Sequence, residues 1–205
     1  IYALDKWITK NIMARTINTN KKIISATLKL AETITWQKIT MEEIAKAAKV
    51  EPSILLQSFS SKLSILDAFN RHLDAEITQE FAKTKKWGSV REQLFDIIMA
   101  RFDTLNSHKR ALRLIYKTTV PYDLRASICG LNNVTNSMKI VLDISKISTI
   151  TPLGCIRTKL LSAIFVRSFG TWLNDDSADM AKTMAKLDSD LAKAEKLSNL
   201  IANTN

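Results

Sequence analysis

The chain has 205 residues, 46% of them hydrophobic, and it carries 30 Lys and Arg against 20 Asp and Glu, for a net charge of +10. Only four glycines and three prolines are present, which leaves almost no material for the tight turns of an all-β fold. No apolar run approaches the ~18 residues that a membrane-spanning helix needs. The composition therefore predicts an all-α protein with no transmembrane segment.

The positive charge is concentrated near the N-terminus. Residues 1–62 hold ten basic and five acidic side chains, so less than a third of the chain carries half of the net charge. A basic segment suits a polyanionic partner such as nucleic acid or an anionic membrane surface. A generic basic surface would give the same count, and at this point both interpretations stay open.

The cysteine content and the start of the chain bear on its cellular location. Cys129 and Cys155 are 26 residues apart, and no secretory signal pattern opens the chain. We therefore expect no disulfide framework and a cytoplasmic location. We assign residues 1–20 to an N-terminal extension, and the sequence leaves open whether residues 1–12 precede a start at Met13.

Three short amphipathic segments follow in the basic part of the chain. Residues 21–34 have apolar side chains at helical spacing with lysines on the other side. Thr40 and Glu43 form a capping box at the start of a second helix, and Pro52 suits the first position of a third helix that ends near Ser58. This order predicts helix-turn-helix geometry, in which the third helix enters the major groove of DNA. We assign residues 21–66 to this domain.

Residues 67–205 are predicted to form a larger helical domain. Its helices are marked by caps and by breaking residues. The first predicted helix runs from Ser60 or Ser61 to about Trp87–Gly88, and the second begins at Ser89. The third runs from His108 to Pro121 and the fourth from Asp123 to Ile147. The fifth begins at Thr151–Pro152, and the last runs from a cap at Ser177 to about Ala202. The acidic run at residues 174–179 lacks the ligand spacing of a calcium loop and is interpreted as part of that last cap.

No catalytic or cofactor-binding pattern is found in the sequence. It contains no GxSxG, no glycine-rich phosphate loop and no CxxC pair, and its two histidines, His72 and His108, are 36 residues apart. These absences argue against hydrolases, nucleotide-binding proteins and metal-dependent enzymes. We therefore expect no enzymatic activity, no metal and no cofactor.

Residues 21–70 resemble the N-terminal domain of the TetR family of bacterial transcriptional regulators. The resemblance rests on "IISATLKLAE", "ITMEEIAKAAKV" and "FSSKLSILDAF", in which Phe59, Lys62 and Leu66 match the family's F-x-x-K-x-x-L pattern. It implies a three-helix DNA-binding domain followed by a larger helical domain that binds a ligand and forms a homodimer. It further implies that the protein binds double-stranded operator DNA and responds to a small apolar effector.

The sequence departs from the family pattern where the family binds DNA. The family usually has Gly before its second helix, Gly-Val in the turn and Tyr-x-Tyr-Phe at the end of the reading helix. Here Thr35–Trp36, Lys49–Val50 and Leu56–Gln57–Ser58–Phe59 stand instead. The missing tyrosine hydroxyls predict weaker operator binding than is usual, compensated by Lys46, Lys49 and the basic N-terminal segment.

Six residues are assigned to DNA binding. Thr40 and Lys62 match positions at which the family binds phosphates. The side of the third helix that stays free once Leu55, Leu56 and Phe59 pack inward should face the bases, and glutamine suits adenine. The predicted DNA-binding residues are Thr40, Ser53, Ile54, Gln57, Ser58 and Lys62.

The larger domain is predicted to hold a small apolar ligand. Aromatic and methionine side chains from several helices are the usual lining of an apolar cavity, although such residues also fill ordinary cores. The predicted ligand-binding residues are Phe95, Met99, Phe102, Tyr116, Met138, Phe165 and Phe169. We expect a polar end of the ligand near Arg101, Arg157 or Arg167.

The last two helices are predicted to form a dimer interface. Their apolar stripes suit an antiparallel pair that meets its symmetry mate in a four-helix arrangement, although the same stripes could pack inside one subunit. The predicted interface residues are Phe165, Phe169, Trp172, Met184, Leu187 and Leu191.

The C-terminal part carries a second resemblance. The segment "FGTWLNDDSADMAKTMAKLDSDLAKAE" is similar to the W-L-x-D-x-S-x-D pattern, followed by T and L-D, near the end of the coenzyme Q biosynthesis accessory proteins. Those proteins share the TetR fold, bind lipids and touch membranes. The alternative function is therefore a lipid-binding accessory protein in which DNA reading is lost. The sequence names neither effector nor operator, and it does not distinguish repressor from activator.

Overall fold

The computed structural model describes the backbone of residues 2–82 and 88–202 and the side chains of residues 15–82 and 88–198. Within these ranges the chain forms nine α-helices and no strand, which confirms the all-α prediction. The helices are α1 (Tyr2–Ala31), α2 (Met41–Ala48), α3 (Pro52–Ser58), α4 (Lys62–Phe81), α5 (Val90–Asn106), α6 (Lys109–Thr119), α7 (Leu124–Ile144), α8 (Pro152–Trp172) and α9 (Ala181–Ala202). A 3-10 turn, Trp36–Lys38, lies between α1 and α2. The predicted helix end at Trp87 lies outside the described residues.

Predicted helix starts coincide with side-chain caps. At α2 the Glu43 amide donates to Thr40 Oγ1 at 3.1 Å, and the Thr40 amide donates to Glu43 Oε2 at 2.8 Å. The same reciprocal bonds join Ser89 and Glu92 at the start of α5, at 3.3 and 2.6 Å. Each pair satisfies two amides that a helix start leaves without intrahelical partners. Both capping boxes predicted from the sequence are confirmed.

The chain divides into two compact units. The first consists of residues 1–69 and 110–127. Its helix-turn-helix part packs α1 on α2 and α2 on α3. Branched aliphatic side chains from successive helices fill its core, among them Ile23, Leu28, Ile44, Leu55 and Ile65, each at most 1% exposed. Burial of these side chains fixes which side of α3 remains available to solvent.

The second unit consists of residues 70–109 and 128–205. Its core contains an aromatic stack. The centre of the Phe102 ring lies 5.3 Å from the centre of the Phe165 ring and 5.7 Å from that of Trp172. The Trp172 indole donates to Asn106 Oδ1 at 2.8 Å. The stack joins α5 to α8, and the buried indole N–H has the partner that such a group requires.

Gly154 allows α8 to begin close to the preceding loop. A Cβ atom at this position would lie 2.6 Å from the carbonyl oxygen of Ser148 and 2.8 Å from Cα of Thr149. Any other residue would push this backbone away from the helix. The first turn of α8 and residues 148–149 are thus held together.

Candidate nucleic-acid interface

The turn between α2 and α3 reverses the chain through Lys49. This residue has φ 55° and ψ 47°, the left-handed conformation. The Lys49 amide donates to the Lys46 carbonyl at 3.2 Å, and the Val50 amide donates to the Ala45 carbonyl at 3.0 Å. Both bonds satisfy carbonyls at the end of α2 and direct the chain into α3. Glycine adopts this conformation more easily than lysine does, because it has no Cβ.

Helix α3 presents most of its side chains to solvent. Leu55 and Phe59, four residues apart, are 0% and 4% exposed and attach the helix to the core of the first unit. Leu56 is 58% exposed, so the prediction that it packs inward is wrong. A helix of seven residues offers one buried seam, and Leu56 is turned about 100° away from it. The exposed face of α3 therefore consists of Ser53, Ile54, Leu56, Gln57 and Ser58.

Lys62, at the start of α4, binds the 3-10 turn. Its Nζ donates to the carbonyl of Trp36 at 2.6 Å and to that of Gln37 at 3.3 Å, and lies 5.2 Å from the centre of the Trp36 ring. Burial lowers the pKa of Lys62, and the charge of Glu43 opposes that shift. An ammonium group has three N–H donors, and the two carbonyls occupy two of them.

The 3-10 turn has a second attachment inside the first unit. The Gln37 side-chain amide donates through Nε2 to the backbone carbonyl of Thr118, in the last turn of α6. Trp36 itself is 4% exposed. The turn that leads into α2 is thus bound both to the start of α4 and to the end of α6.

A groove lined by lysines lies in the same unit. It has a volume of about 410 Å³, and α1 contributes Lys21, Lys22 and Lys29 while the helix-turn-helix turn contributes Lys49. None of these side chains has a hydrogen bond or ion pair with a described residue. The sequence placed the lysines of residues 21–34 on the side of the helix opposite its apolar residues, but it did not place Lys49 beside them. Lys22 and Lys29 are seven residues apart and so share one side of α1, whereas the position of Lys49 depends on how α2 packs on α1.

The predicted ligand-binding residues differ in burial and belong to two units. Met99, Phe102, Met138 and Phe165 are at most 8% exposed and belong to the core of the second unit. Phe95 and Phe169 are half-buried, and Tyr116, 37% exposed, belongs to the first unit. A separate groove of about 570 Å³ in the second unit is lined by none of these seven residues.

The three arginines expected near a ligand have different surroundings. Arg101 is 3% exposed and forms an ion pair with Asp74 at 2.5 Å. Burial lowers the pKa of Arg101, and Asp74 opposes that shift. Arg167 donates to Asp190 at 3.1 Å. Arg157 lines the 570 Å³ groove and has no hydrogen bond or ion pair with a described residue, so it is the arginine best placed to meet a ligand.

The residues predicted for the dimer interface lie mainly inside the second unit. Phe165, Trp172, Leu187 and Leu191 are at most 4% exposed, in a unit where α8 packs on α9. Phe169 and Met184 are half-buried. Other apolar side chains of α8 are exposed, namely Leu153, Ile156, Leu160 and Val166, at 37–61%, and the first three lie on one face of the helix.

The acidic run at residues 174–179 lies before α9, which begins at Ala181 and not directly after Ser177 as predicted, and its side chains bind the first turn of that helix. Asp175 accepts hydrogen bonds from the amide and hydroxyl of Thr183 at 2.8 and 2.7 Å and from Ser177 Oγ at 2.5 Å. Burial alone would raise the pKa of Asp175, but these hydrogen bonds lower it well below its usual range. Ser177 Oγ also accepts from the Ala181 amide at 3.1 Å. These bonds account for the spacing of Asp, Ser and Thr in the second resemblance.

The part of the chain that the structure describes offers neither a metal-binding cluster nor a membrane-spanning helix. No three His, Cys, Asp or Glu side chains in this part of the chain are grouped to hold a metal ion. In the same part, no helix is long and apolar enough to cross a membrane.

Residues 23–69 match the family model of the bacterial regulatory proteins of the tetR family. No curated protein matches the chain in sequence. A TetR transcriptional regulator from Nitrosomonas europaea is similar in structure, with TM-score 0.70 and 18% identity over 86% of this chain and 97% of that chain. A TetR transcriptional regulator from Rhodococcus sp. RHA1 has TM-score 0.64 and 18% identity over 88% of this chain and 96% of that chain.

A tetR-family transcriptional regulator from Streptomyces coelicolor is also similar, with TM-score 0.57 and 13% identity over 91% of this chain and 87% of that chain. The resemblance found in the sequence is therefore confirmed by the family match and by the fold. The chain has the TetR-like fold, and its residues 23–69 carry the helix-turn-helix domain of the tetR family of bacterial regulatory proteins.

Proposed function

We propose that the protein is a transcriptional regulator that reads operator DNA with α3 and responds to a small apolar effector bound in its second unit. The observation that carries this proposal is the exposed face of α3. Leu55 and Phe59 attach α3 to the core, and the polar residues of the exposed face, Ser53, Gln57 and Ser58, are available to base edges. A helix in this position of a helix-turn-helix enters the major groove.

Phosphate contacts would come from residues around α3. Lys62 keeps one N–H after binding its two carbonyls, and Thr40 stands exposed at the start of α2. The four lysines of the 410 Å³ groove add positive charge that no described residue neutralises. Phosphate contacts supply affinity and register, whereas contacts to base edges supply sequence preference.

A homodimer would place two such reading helices on one operator. The exposed apolar face of α8 is the surface that supports this assembly. Leu153, Ile156 and Leu160 lie three and four residues apart, at the spacing of one helical face. A face of this kind, repeated in two copies, gives a self-complementary interface.

Effector binding would change the balance between conformations that do and do not fit the operator. The attachments of the 3-10 turn to α4 and α6 support this proposal. A movement of either helix would be passed to the turn that leads into α2 through Lys62 or through Gln37. The effector would then act by binding one of the two conformations more tightly.

Selection from a random DNA library, followed by fluorescence anisotropy on the enriched sequence, tests this function. Gln57→Ala should relax preference at one base pair by roughly 1–3 kcal/mol if its contact is bidentate. Lys62→Met keeps an aliphatic stem beside Trp36 and removes the charge. It should weaken binding to all sequences alike and reduce the salt dependence by about one released ion.

The two variants control for one another, since one should alter sequence preference and the other should not. Salt-sensitive binding without any enriched sequence would contradict the proposal. That outcome would favour the alternative of a TetR-fold lipid-binding accessory protein in which DNA reading is lost.

A further inference from the structure

The 570 Å³ groove of the second unit has the size and composition of a ligand site. It is formed by the start of α5, the end of α7 with the following residues, the first half of α8 and the second half of α9. Small-molecule pockets in proteins have volumes of roughly 300–1,000 Å³. The groove lies within that range.

The floor of the groove is aliphatic. It consists of Leu94, Leu142, Leu161, Ile164 and Leu191, each at most 9% exposed. No polar side chain is among these five, so the floor cannot form hydrogen bonds through side chains. Contact between this floor and a hydrocarbon chain would be favourable, because it removes apolar surface from water.

The charged lining of the groove is predominantly cationic, with three basic residues and one acidic residue. Arg91 is already bound to Asp188 at 2.8 Å and to Glu195 at 3.5 Å. Lys146 and Arg157 also line the groove, and neither side chain has a hydrogen bond or ion pair with a described residue. The acidic residue of the lining, Glu195, is thus paired with Arg91, and two cations remain for a ligand. This arrangement favours an anion over a neutral or cationic group.

We infer that the groove binds a free long-chain carboxylate, with its hydrocarbon chain along the aliphatic floor and its carboxylate at Lys146 and Arg157. The inference rests on the proposed function in that this ligand would be the effector. The groove is distinct from the aromatic core at Phe102 and Phe165. It shares only Leu160 with the three residues of the exposed apolar face of α8 that the proposed dimer would cover.

The inference is tested by calorimetric titration of the full chain, without DNA, with dodecanoate and with dodecanol. The two probes share a hydrocarbon chain, and only the first carries a charge. Dodecanoate should bind at least about tenfold more tightly, a difference of about 1.4 kcal/mol. Lys146→Gln and Arg157→Gln should each raise the Kd for dodecanoate about tenfold, by the same conversion, and leave the Kd for dodecanol unchanged.

Two further variants complete the test. Lys159→Gln removes an exposed cation from α8 that does not line the groove, so it should change neither affinity. Ala194→Phe places a ring in the groove and should abolish binding of both probes. Its thermal unfolding midpoint, compared with that of the parent chain, shows whether the fold is kept, and Ala194→Val provides a smaller filling change if it is not.

Equal affinity for dodecanoate and dodecanol would overturn the inference, and so would dodecanoate binding that Ala194→Phe and Ala194→Val leave unchanged. Sedimentation with phosphatidylglycerol vesicles without binding of free dodecanoate would also overturn it, by assigning the cations to a membrane surface. The titration contains no DNA, so its failure is separate from failure of the operator experiment. Loss of sequence-specific DNA binding would leave the groove's ligand intact.

Discussion

Lys49 shows how a single backbone conformation bears on the reading element. It is one of three described non-glycine residues with positive φ, together with Lys146 and Met180. A side chain in the left-handed region costs roughly 1–2 kcal/mol compared with glycine. The turn between α2 and α3 therefore retains a lysine at an energetic cost, in the groove where that lysine joins three others.

Replacing Lys49 with glycine should stabilise the first unit. The relief of the left-handed conformation is partly offset by the greater freedom of glycine in the unfolded chain, so the net gain should be about 0.5–1 kcal/mol. Thermal unfolding followed by circular dichroism measures it as a higher midpoint. Lys49→Ala removes the same charge without relieving the backbone, and it should not raise the midpoint. An equal rise in both variants would attribute the effect to charge.

At the residue scale, the sequence predicted interactions between near neighbours. The capping boxes at Thr40 and Ser89 span three residues, and both were found from residue type and spacing alone. The partners of Lys62 lie 26 and 25 residues away in the sequence. Only the folded arrangement of the 3-10 turn and α4 brings them together. Lys62 was predicted from the sequence to contact phosphate. In the structure it also binds the 3-10 turn, which no local sequence pattern shows.

At the start of α9, the buried carboxylate of Asp175 contributes to the stability of the fold. Asp175 is fully buried and accepts bonds from Thr183 and Ser177. Because its pKa is lower in the folded chain than in the unfolded chain, the carboxylate stabilises the fold above the unfolded value of about 4. That stabilisation is lost as the pH falls below about 4 towards the lower folded value.

Asp175→Asn should therefore destabilise the protein by roughly 1.5–3 kcal/mol at neutral pH, as expected for hydrogen bonds to a charged group. The difference in unfolding midpoint between parent and variant should shrink as the pH is lowered from about 4 towards 2. Midpoints measured across this range test the sign. Asp179→Asn, at an exposed position of the same cap, is the control and should have a smaller effect. A difference that stays constant with pH would show that the charge of Asp175 is not responsible.

The sequence predicted the positions of the helices more completely than it predicted which side of each helix is exposed. Apolar periodicity and Pro52 located α3, but a seven-residue helix contains too few turns for a pattern to decide the position of Leu56. The 570 Å³ groove is formed by residues of four helices and the segment after α7, so its lining is not a sequence pattern at all. Aromatic residue type predicts core packing and ligand lining alike, and Phe102 and Phe165 stack on each other in the core.

On the scale of the whole molecule, the exposed face of α8 determines the assembly that we expect. Ile156 is 61% exposed and is the most exposed of the three apolar residues on that face, the others being Leu153 and Leu160. A glutamate there would be buried without a partner in a dimer, which is costly, whereas it would be solvated in a monomer. Ile156→Glu should thus convert a dimer into a monomer at micromolar concentration, as measured by sedimentation velocity.

The matched control for that experiment is Ile150→Glu. Ile150 is 93% exposed and lies outside α8, so the same change in charge and volume should leave the dimer intact. A parent chain that sediments as a monomer would contradict the proposed assembly. A dimer that resists Ile156→Glu would place the interface on another surface.

The bond between Gln37 and Thr118 also affects how this sequence can vary. Its donor is a side chain, but its acceptor is a backbone carbonyl, which every amino acid supplies. Substitution at position 118 therefore leaves the acceptor in place, whereas most substitutions at position 37 remove the donor. Lineages that keep this attachment would be constrained at position 37 and free at position 118, so covariation between the two positions would not reveal the contact between the 3-10 turn and α6.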